Sequence, residues 1–233
     1  MSLIVTHATA ADGSFYSDGA AAWNENHVIS GLEWLGAYTF ANLPAAASNS
    51  GKTATVTDVG RASLWRSNGT RWMPDSGLLT LKHLAAAVTG ITNSEQVPLQ
   101  VQLPAGSWQT GDIVRFHFSL TKSGTTNSGS AHVRIGTNGT TADTQIFNGS
   151  GVLGATARVL ETFYDVRLVS ATSAQKVGSA TGTFGAVLTI AETAAVTITS
   201  AAANALWVSL GVLSTGATDT VGLTIGRIEL LTP

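Results

Sequence analysis

The residues best able to hold a metal or move a proton near neutral pH are five histidines: His7, His27, His83, His117 and His132. No two stand at the spacing of a ligand pair, and the chain has no cysteine. His117 and His132 fall in two alternating runs, residues 113–120 and 131–136. If those runs form a hairpin, the two rings share its polar face. The pair is then a metal or pH-sensitive site, or two polar residues on a solvated or subunit-facing sheet. The second reading is favoured, because no ligand motif accompanies the histidines. Cleavage of a glycosidic bond takes two carboxyl groups about 5–10 Å apart. Glu161 and Asp165 share a strand face but stand too far apart along it to work together. No Gly-x-Ser-x-Gly elbow, phosphate loop or Asp-rich Ca²⁺ loop occurs. The sequence assigns no catalytic residue, metal site or cofactor, and the expectation is a non-enzymatic protein.

Binding chemistry is better represented. Arg115, Arg134, Asp165, Arg167, Arg227 and Glu229 lie on outward strand faces and hold much of the charge in a chain only 11% charged. They read an acidic polysaccharide or form a ladder of cross-strand ion pairs, and alternating sign favours the ladder. Trp207 points away from the Leu206, Val208 and Leu210 face, as a subunit contact or a ligand platform, with subunit contact preferred. Trp108, in a turn-rich loop, has the same two readings. Trp65 and Trp72 flank a Ser67-Asn68-Gly69-Thr70 turn and are expected to form a small core around it. Asn-Gly between apolar runs predicts a type I′ hairpin.

These residues need a frame. Alternation in residues 97–103, 113–120, 131–136, 158–169, 184–190, 195–199, 205–213 and 221–231, with Gly, Asn and Ser turns between, predicts an antiparallel sandwich. Eight or nine strands suit a jelly roll. Phe116, Phe118, Val133, Ile135, Tyr164, Val166, Leu206, Val208 and Leu210 are its predicted core. The 25 glycines and low charge agree with an all-β chain. A net charge of −2 gives no field for gathering nucleic acid. No signal peptide or membrane-spanning run is expected. Four regions result: an N-terminal segment 1–38, with Trp23 and Trp34 as subunit-contact residues; a three-stranded knob 39–77; a linker 78–88, helix or strand; and the sandwich 89–233.

The words of residues 40–74, FANLPAAASNSGKTATVTDVGRASLWRSNGTRWMP, resemble a module recurrent in tail-fibre and spike proteins of tailed bacteriophages and related gene transfer agents. Asp12-Gly13-Ser14-Phe15, Gly19 to Asn24 and Gly31 resemble the segment that often precedes it. LPAGSWQTGDIVRFHF and HVRIGTNGTTADTQI resemble distal β-sandwich domains of phage fibres and head spikes. The resemblance implies an all-β, jelly-roll-like receptor-binding head behind a small β knob and a short attachment segment. It implies a virion location, a homotrimer, other virion proteins as partners through the N-terminal segment, and a bacterial surface polysaccharide (capsule or lipopolysaccharide) as receptor. A structural scaffold carrying another receptor-binding protein, and a capsule depolymerase, are the alternatives. The Asn-Gly triplets at Asn68, Asn138 and Asn148 then read as turns rather than glycosylation sites. Two loops rich in Thr, Asn and Ser supply the glycan-binding candidates Lys122, Thr125, Asn127, Asn138, Thr140 and Asp143, with Trp108 beside them. No nucleic-acid or membrane partner is expected.

Overall fold

In the computed structural model, which describes residues 4–6, 28–30, 34–156, 158–182 and 193–233, the chain is nearly all β. Strands β1 (Ile4–Thr6) and β2 (Val28–Ser30) pair antiparallel. Next come β3 (Trp34–Tyr38), β4 (Thr53–Val56), β5 (Ser63–Ser67) and β6 (Trp72–Pro74), a sheet in that order. The rest of the described chain supplies β7 (Leu78–His83), β8 (Val88–Ile91), β9 (Gln96–Leu103), β10 (Ile113–Lys122), β11 (Gly129–Gly136), β12 (Thr144–Leu153), β13 (Val159–Ser170), β14 (Ser173–Gly182), β15 (Val196–Thr197), β16 (Leu206–Ser214) and β17 (Val221–Leu231). These make two sheets. The first runs β15-β14-β13-β10-β17-β7, with β8 also on β17; the second runs β12-β11-β16-β9. Every pairing within the two is antiparallel.

The sandwich core follows the sequence period. Alternate residues of a strand face opposite ways, so each strand buries one set. Val114, Phe116, Phe118 and Leu120 of β10 are buried, as are Ala131, Val133 and Ile135 of β11 and Leu206, Val208 and Leu210 of β16. Tyr164 and Val166 of β13 complete the predicted core. The sheets meet through rings: Tyr164 lies edge-on to Phe118 at 5.0 Å and to Phe147, from the opposite sheet, at 4.7 Å.

Several expectations change. Strands β10 and β11 are not a hairpin. β10 pairs with β13 and β17, while β11 pairs with β12 and β16 in the other sheet. His117 and His132 therefore lie on opposite outer faces of the sandwich. Residues 78–83, read as linker, are strand β7, hydrogen-bonded to β17. The knob has four strands rather than three, because β3 lies parallel to β4. Trp34 thus belongs to the knob and not to a preceding segment. Strand 184–190 and Trp23 lie outside the described residues, as does most of the segment 1–38.

The knob hairpin is present: β5 and β6 pair antiparallel, with Trp65 and Trp72 both buried. Its turn is not type I′. Gly69 has φ +87° but Asn68 does not take a positive φ. Instead the Asn68 carboxamide oxygen accepts the Thr70 and Arg71 N–H groups, a side-chain substitute for the second left-handed residue. Trp65 stacks edge-on to Phe40 at 5.2 Å, and Trp72 Nε1 donates to the Pro44 carbonyl at 2.8 Å. The knob rests on the sandwich. Gly60, at φ +67°, lets its loop reach β7, where a Cβ would stand 2.7 Å from the Thr80 carbonyl oxygen. Arg71 Nη1 reaches Asp112 Oδ1 of the β9–β10 loop at 2.8 Å.

Candidate functional site

The two loops chosen from sequence sit at opposite ends of β11, an eight-residue strand about 25 Å long. They cannot form one site. Residues 123–128 lie at the end remote from the knob, beside the β16–β17 loop 215–220. Residues 137–143 lie at the knob end.

At the remote end, Lys122 occupies the inward parity of β10, after Val114, Phe116, Phe118 and Leu120. Its side chain is fully buried. Nζ donates to the carbonyls of Asn127 (2.7 Å) and Ala155 and lies 3.3 Å from Asp219 Oδ2. The same carboxylate oxygen accepts the N–H groups of Thr126 and Asn127, each at 2.8 Å. Those backbone donors, with the ammonium, hold the Asp219 carboxyl below its ordinary value of 3.8. Further bonds tie the two loops together: Ser123 Oγ to Thr220 Oγ1 at 2.7 Å, Asn127 Nδ2 to Thr218 Oγ1, and Ser128 N–H to Thr215 Oγ1 at 2.9 Å. Lys122 is therefore no sugar ligand but an internal staple, because a buried ammonium must be paired. Thr125, Thr126, Thr215 and Thr218 remain exposed, and Asn127 is half-buried.

The knob-end loop uses the same device. Asp143 is buried and accepts from Asn138 N–H and Nδ2 (3.0 Å each), Gly139 N–H (2.7 Å) and Thr140 N–H (3.3 Å). It too is a staple and not a surface ligand; Asn138 and Thr140 stay exposed. Gly139, at φ +69°, sits against the indole of Trp207: a Cβ would stand 2.9 Å from Trp207 Cδ2 and 2.8 Å from Gln100 Oε1. Trp207 is thus half-covered by its own chain's loop.

Between the loops, the outer face of the second sheet carries a fixed charge cluster. Arg134 Nε and Nη2 bind Glu95 Oε1 and Oε2 at 2.8 Å each, a bidentate fork. Arg134 also donates to the Asp143 carbonyl and to Gln145 Oε1, both at 3.0 Å. His132 Nδ1 stands 3.1 Å from Glu95 Oε2 without forming a hydrogen bond to it. Burial pulls the Glu95 carboxyl up, but Arg134 and His132 outweigh it and hold the group below its ordinary 4.5. Beneath them, Ser209 Oγ and Gln100 Oε1 are buried with no hydrogen-bond partner among the described residues.

The outer face of the first sheet carries the expected cross-strand ion pair at Arg115–Asp165, but not a full ladder: Arg227 and Glu229 stand on one strand, and Arg167 meets the neutral Gln175. Arg115 forks onto Asp165 across the β10–β13 pair (2.8 Å twice) and lies over the Phe163 ring at 4.7 Å. Arg227 Nε stands 3.2 Å from Glu229, and His117 Nε2 3.0 Å from Glu161. Arg167 reaches Gln175 at 3.4 Å. Arg134 does not belong to this set, since it lies on the opposite face.

Trp108 is only 2% exposed and donates to the Asp112 carbonyl at 3.2 Å. It is a packing residue and no stacking platform. Asp112, also buried, accepts Gln109 N–H at 2.9 Å and binds Arg71. Burial raises its carboxyl above 3.8, and those two partners recover part of the shift. Sequence reasoning missed Glu95, Asp112 and Asp219. Only Lys122 carried a signal, because a lysine at inward parity demands a buried acid.

Among the described residues no group of three or more His, Cys, Asp or Glu side chains is placed to hold a metal ion, and no helix is long and apolar enough to cross a membrane. No protein-family model matches the chain, and no curated protein is significantly similar to it.

Proposed function

We propose that this chain is a fibre or spike protein of a phage-like particle, a non-enzymatic adhesin. Its sandwich, read as a jelly roll, contacts a bacterial surface glycan. One observation carries the reading beyond the sequence resemblance. At the end of the sandwich remote from the knob, two hydroxyl-rich loops are cross-bonded over the buried Lys122–Asp219 pair. Their backbones are fixed, while Thr125, Thr126, Thr215 and Thr218 face outward. Fixed polar loops on a rigid frame lose little entropy on binding and suit the hydroxyls of a sugar. Single weak sites gain strength when several copies engage one surface.

Homotrimer formation is part of the proposal. On the knob, Trp34 is 53% exposed and Leu64 44% exposed. Trp34 Nε1 bonds Thr55 Oγ1, and Thr55 pairs with Leu64, so the three residues form one apolar-edged patch suited to a neighbouring subunit. The N-terminal segment is proposed to join other virion proteins.

The test uses point changes at the tip. Particles carrying Thr125→Arg with Thr218→Arg should incorporate the protein normally by mass spectrometry yet adsorb poorly to host cells. Thr140→Arg, at the other end, should adsorb normally. Unchanged adsorption by the tip variant rejects the adhesive tip.

A further inference from the structure

The junction of knob and sandwich holds a cleft of about 450 Å³, lined by Arg71, Trp108, Gln109, Thr110, Leu168 and Ala202. That volume is within the range of small-ligand sites. Its walls differ in chemistry. Ala202 and the buried Leu168 and Trp108 give it apolar lining. Gln109 is half-buried and Thr110 exposed, and both carry side-chain hydrogen-bonding groups. Arg71 closes the cleft from the knob. One of its terminal nitrogens is fixed by Asp112 at 2.8 Å, and Asp112 is itself held by Gln109 N–H. The guanidinium is thereby set in place without its other N–H groups being used by any described residue. Asp112 is buried and turned into the β9–β10 loop, so it does not confront a ligand.

We infer that this cleft binds a carboxylate-bearing sugar unit of the hexuronic acid type. The free edge of a positioned guanidinium matches a carboxylate with two parallel hydrogen bonds. The apolar lining suits the C–H face of a pyranose ring, and Gln109 and Thr110 suit its hydroxyls. The inference rests on the adhesin reading only for where such a sugar comes from; the cleft itself is tested in solution.

The test is calorimetric titration of the full chain with trigalacturonate, with its methyl ester, and with maltotriose. Trigalacturonate should bind with Kd on the order of 1 mM or tighter, a strength that multivalent display makes useful. The ester, which keeps the shape and loses the charge, should bind at least about tenfold more weakly, since a charged, forked contact is lost. Arg71→Lys should weaken binding similarly, because an ammonium lacks the fork. Arg71 also partners a buried acid, so a second variant guards against misfolding. Ala202→Phe fills the cleft from an exposed position, leaves the ion pair intact, and should abolish binding with an unchanged melting temperature. Absence of trigalacturonate binding overturns the proposal, as does equal binding of the ester or full binding by Ala202→Phe. The adhesive tip is judged separately, by cell adsorption of the Thr125 and Thr218 variant.

Discussion

The Glu95 carboxylate occupies the space that a side chain on Gly211 would take. Gly211 lies opposite His132 in the β11–β16 pair. With no Cβ there, Glu95 crosses β16 and reaches Arg134 and His132 on β11. A glycine inside a strand, normally a weak point, here makes room for a buried fork.

Gly211→Ala should therefore act at a distance from its own backbone. The added methyl displaces Glu95 and leaves the Arg134 guanidinium, only 14% exposed, short of its main partner. The expected loss is about 2–4 kcal/mol, somewhat below the cost of breaking a fully buried ion pair. Urea unfolding measures it. Combining Gly211→Ala with Glu95→Ala should cost much less than the sum of the two, because both remove the same interaction.

The aromatic centre gives a contrast. Phe118 is fully buried against Tyr164, and Phe118→Ala should cost about 3–5 kcal/mol. Tyr164→Phe should be neutral or stabilising. The Tyr164 hydroxyl is buried without a partner among the described residues, and burial alone pushes its pKa far up. Removing an unsatisfied polar group recovers part of a penalty of about 1–3 kcal/mol. Arg115→Ala, on the half-exposed outer face, should cost far less than Phe118→Ala. A thermal melt of the three variants orders them, and a destabilised Tyr164→Phe would mean that the hydroxyl has a bonding role.

Why these core residues were legible and the charge clusters were not has a physical basis. A period of two says which side chains face together, and Phe116, Phe118, Val133 and Ile135 obey it. It is blind to which sheet a strand joins, since residues 123–128 could equally turn back as a hairpin or cross to the opposite sheet. They cross, so His117 and His132 part. The Asn68-Gly69 hairpin was legible because its chemistry is local, although Asn68 works through its carboxamide rather than through a left-handed backbone. Glu95 reaches Arg134 across 39 positions, and Lys122 reaches Asp219 across 97. No local pattern announces such partners. The parity of Lys122 announces only that one exists.

Acid should weaken the fold through Glu95 and Asp219. Both carboxyls are held below their ordinary values of 4.5 and 3.8. In that range the unfolded chain binds more protons than the folded one, so stability rises with pH. Their contribution is complete above the unfolded values and is lost as pH falls through the folded ones. Asp112 runs the other way, because burial raises it and the folded state holds its proton longer. Two groups against one predict a melting temperature that drops below about pH 4.5. Glu95→Gln should make that drop shallower while lowering stability near neutrality. An identical acid slope in the variant would exclude Glu95 as a source.

The Lys122–Asp219 pair separates a charge effect from a backbone effect. Asp219→Ala leaves a fully buried ammonium facing only carbonyls and strips the Thr126 and Asn127 N–H groups of their acceptor. Its expected cost is about 3–5 kcal/mol, the range for an orphaned buried charge. Lys122→Met fills the same space without charge and should cost less, because the Asp219 carboxylate keeps both backbone donors. Replacing both residues with apolar ones removes the charge problem entirely, yet the two loop N–H groups stay orphaned at about 1–3 kcal/mol each. The double variant Lys122→Met with Asp219→Leu should therefore recover part, but not all, of the loss caused by Asp219→Ala. Amide exchange reads the difference directly: Thr126 and Asn127 should be protected in wild type and Lys122→Met, and fast in both variants that lack Asp219. Protection persisting without Asp219 would mean that the cross-loop hydroxyl bonds, and not the buried carboxylate, hold the tip.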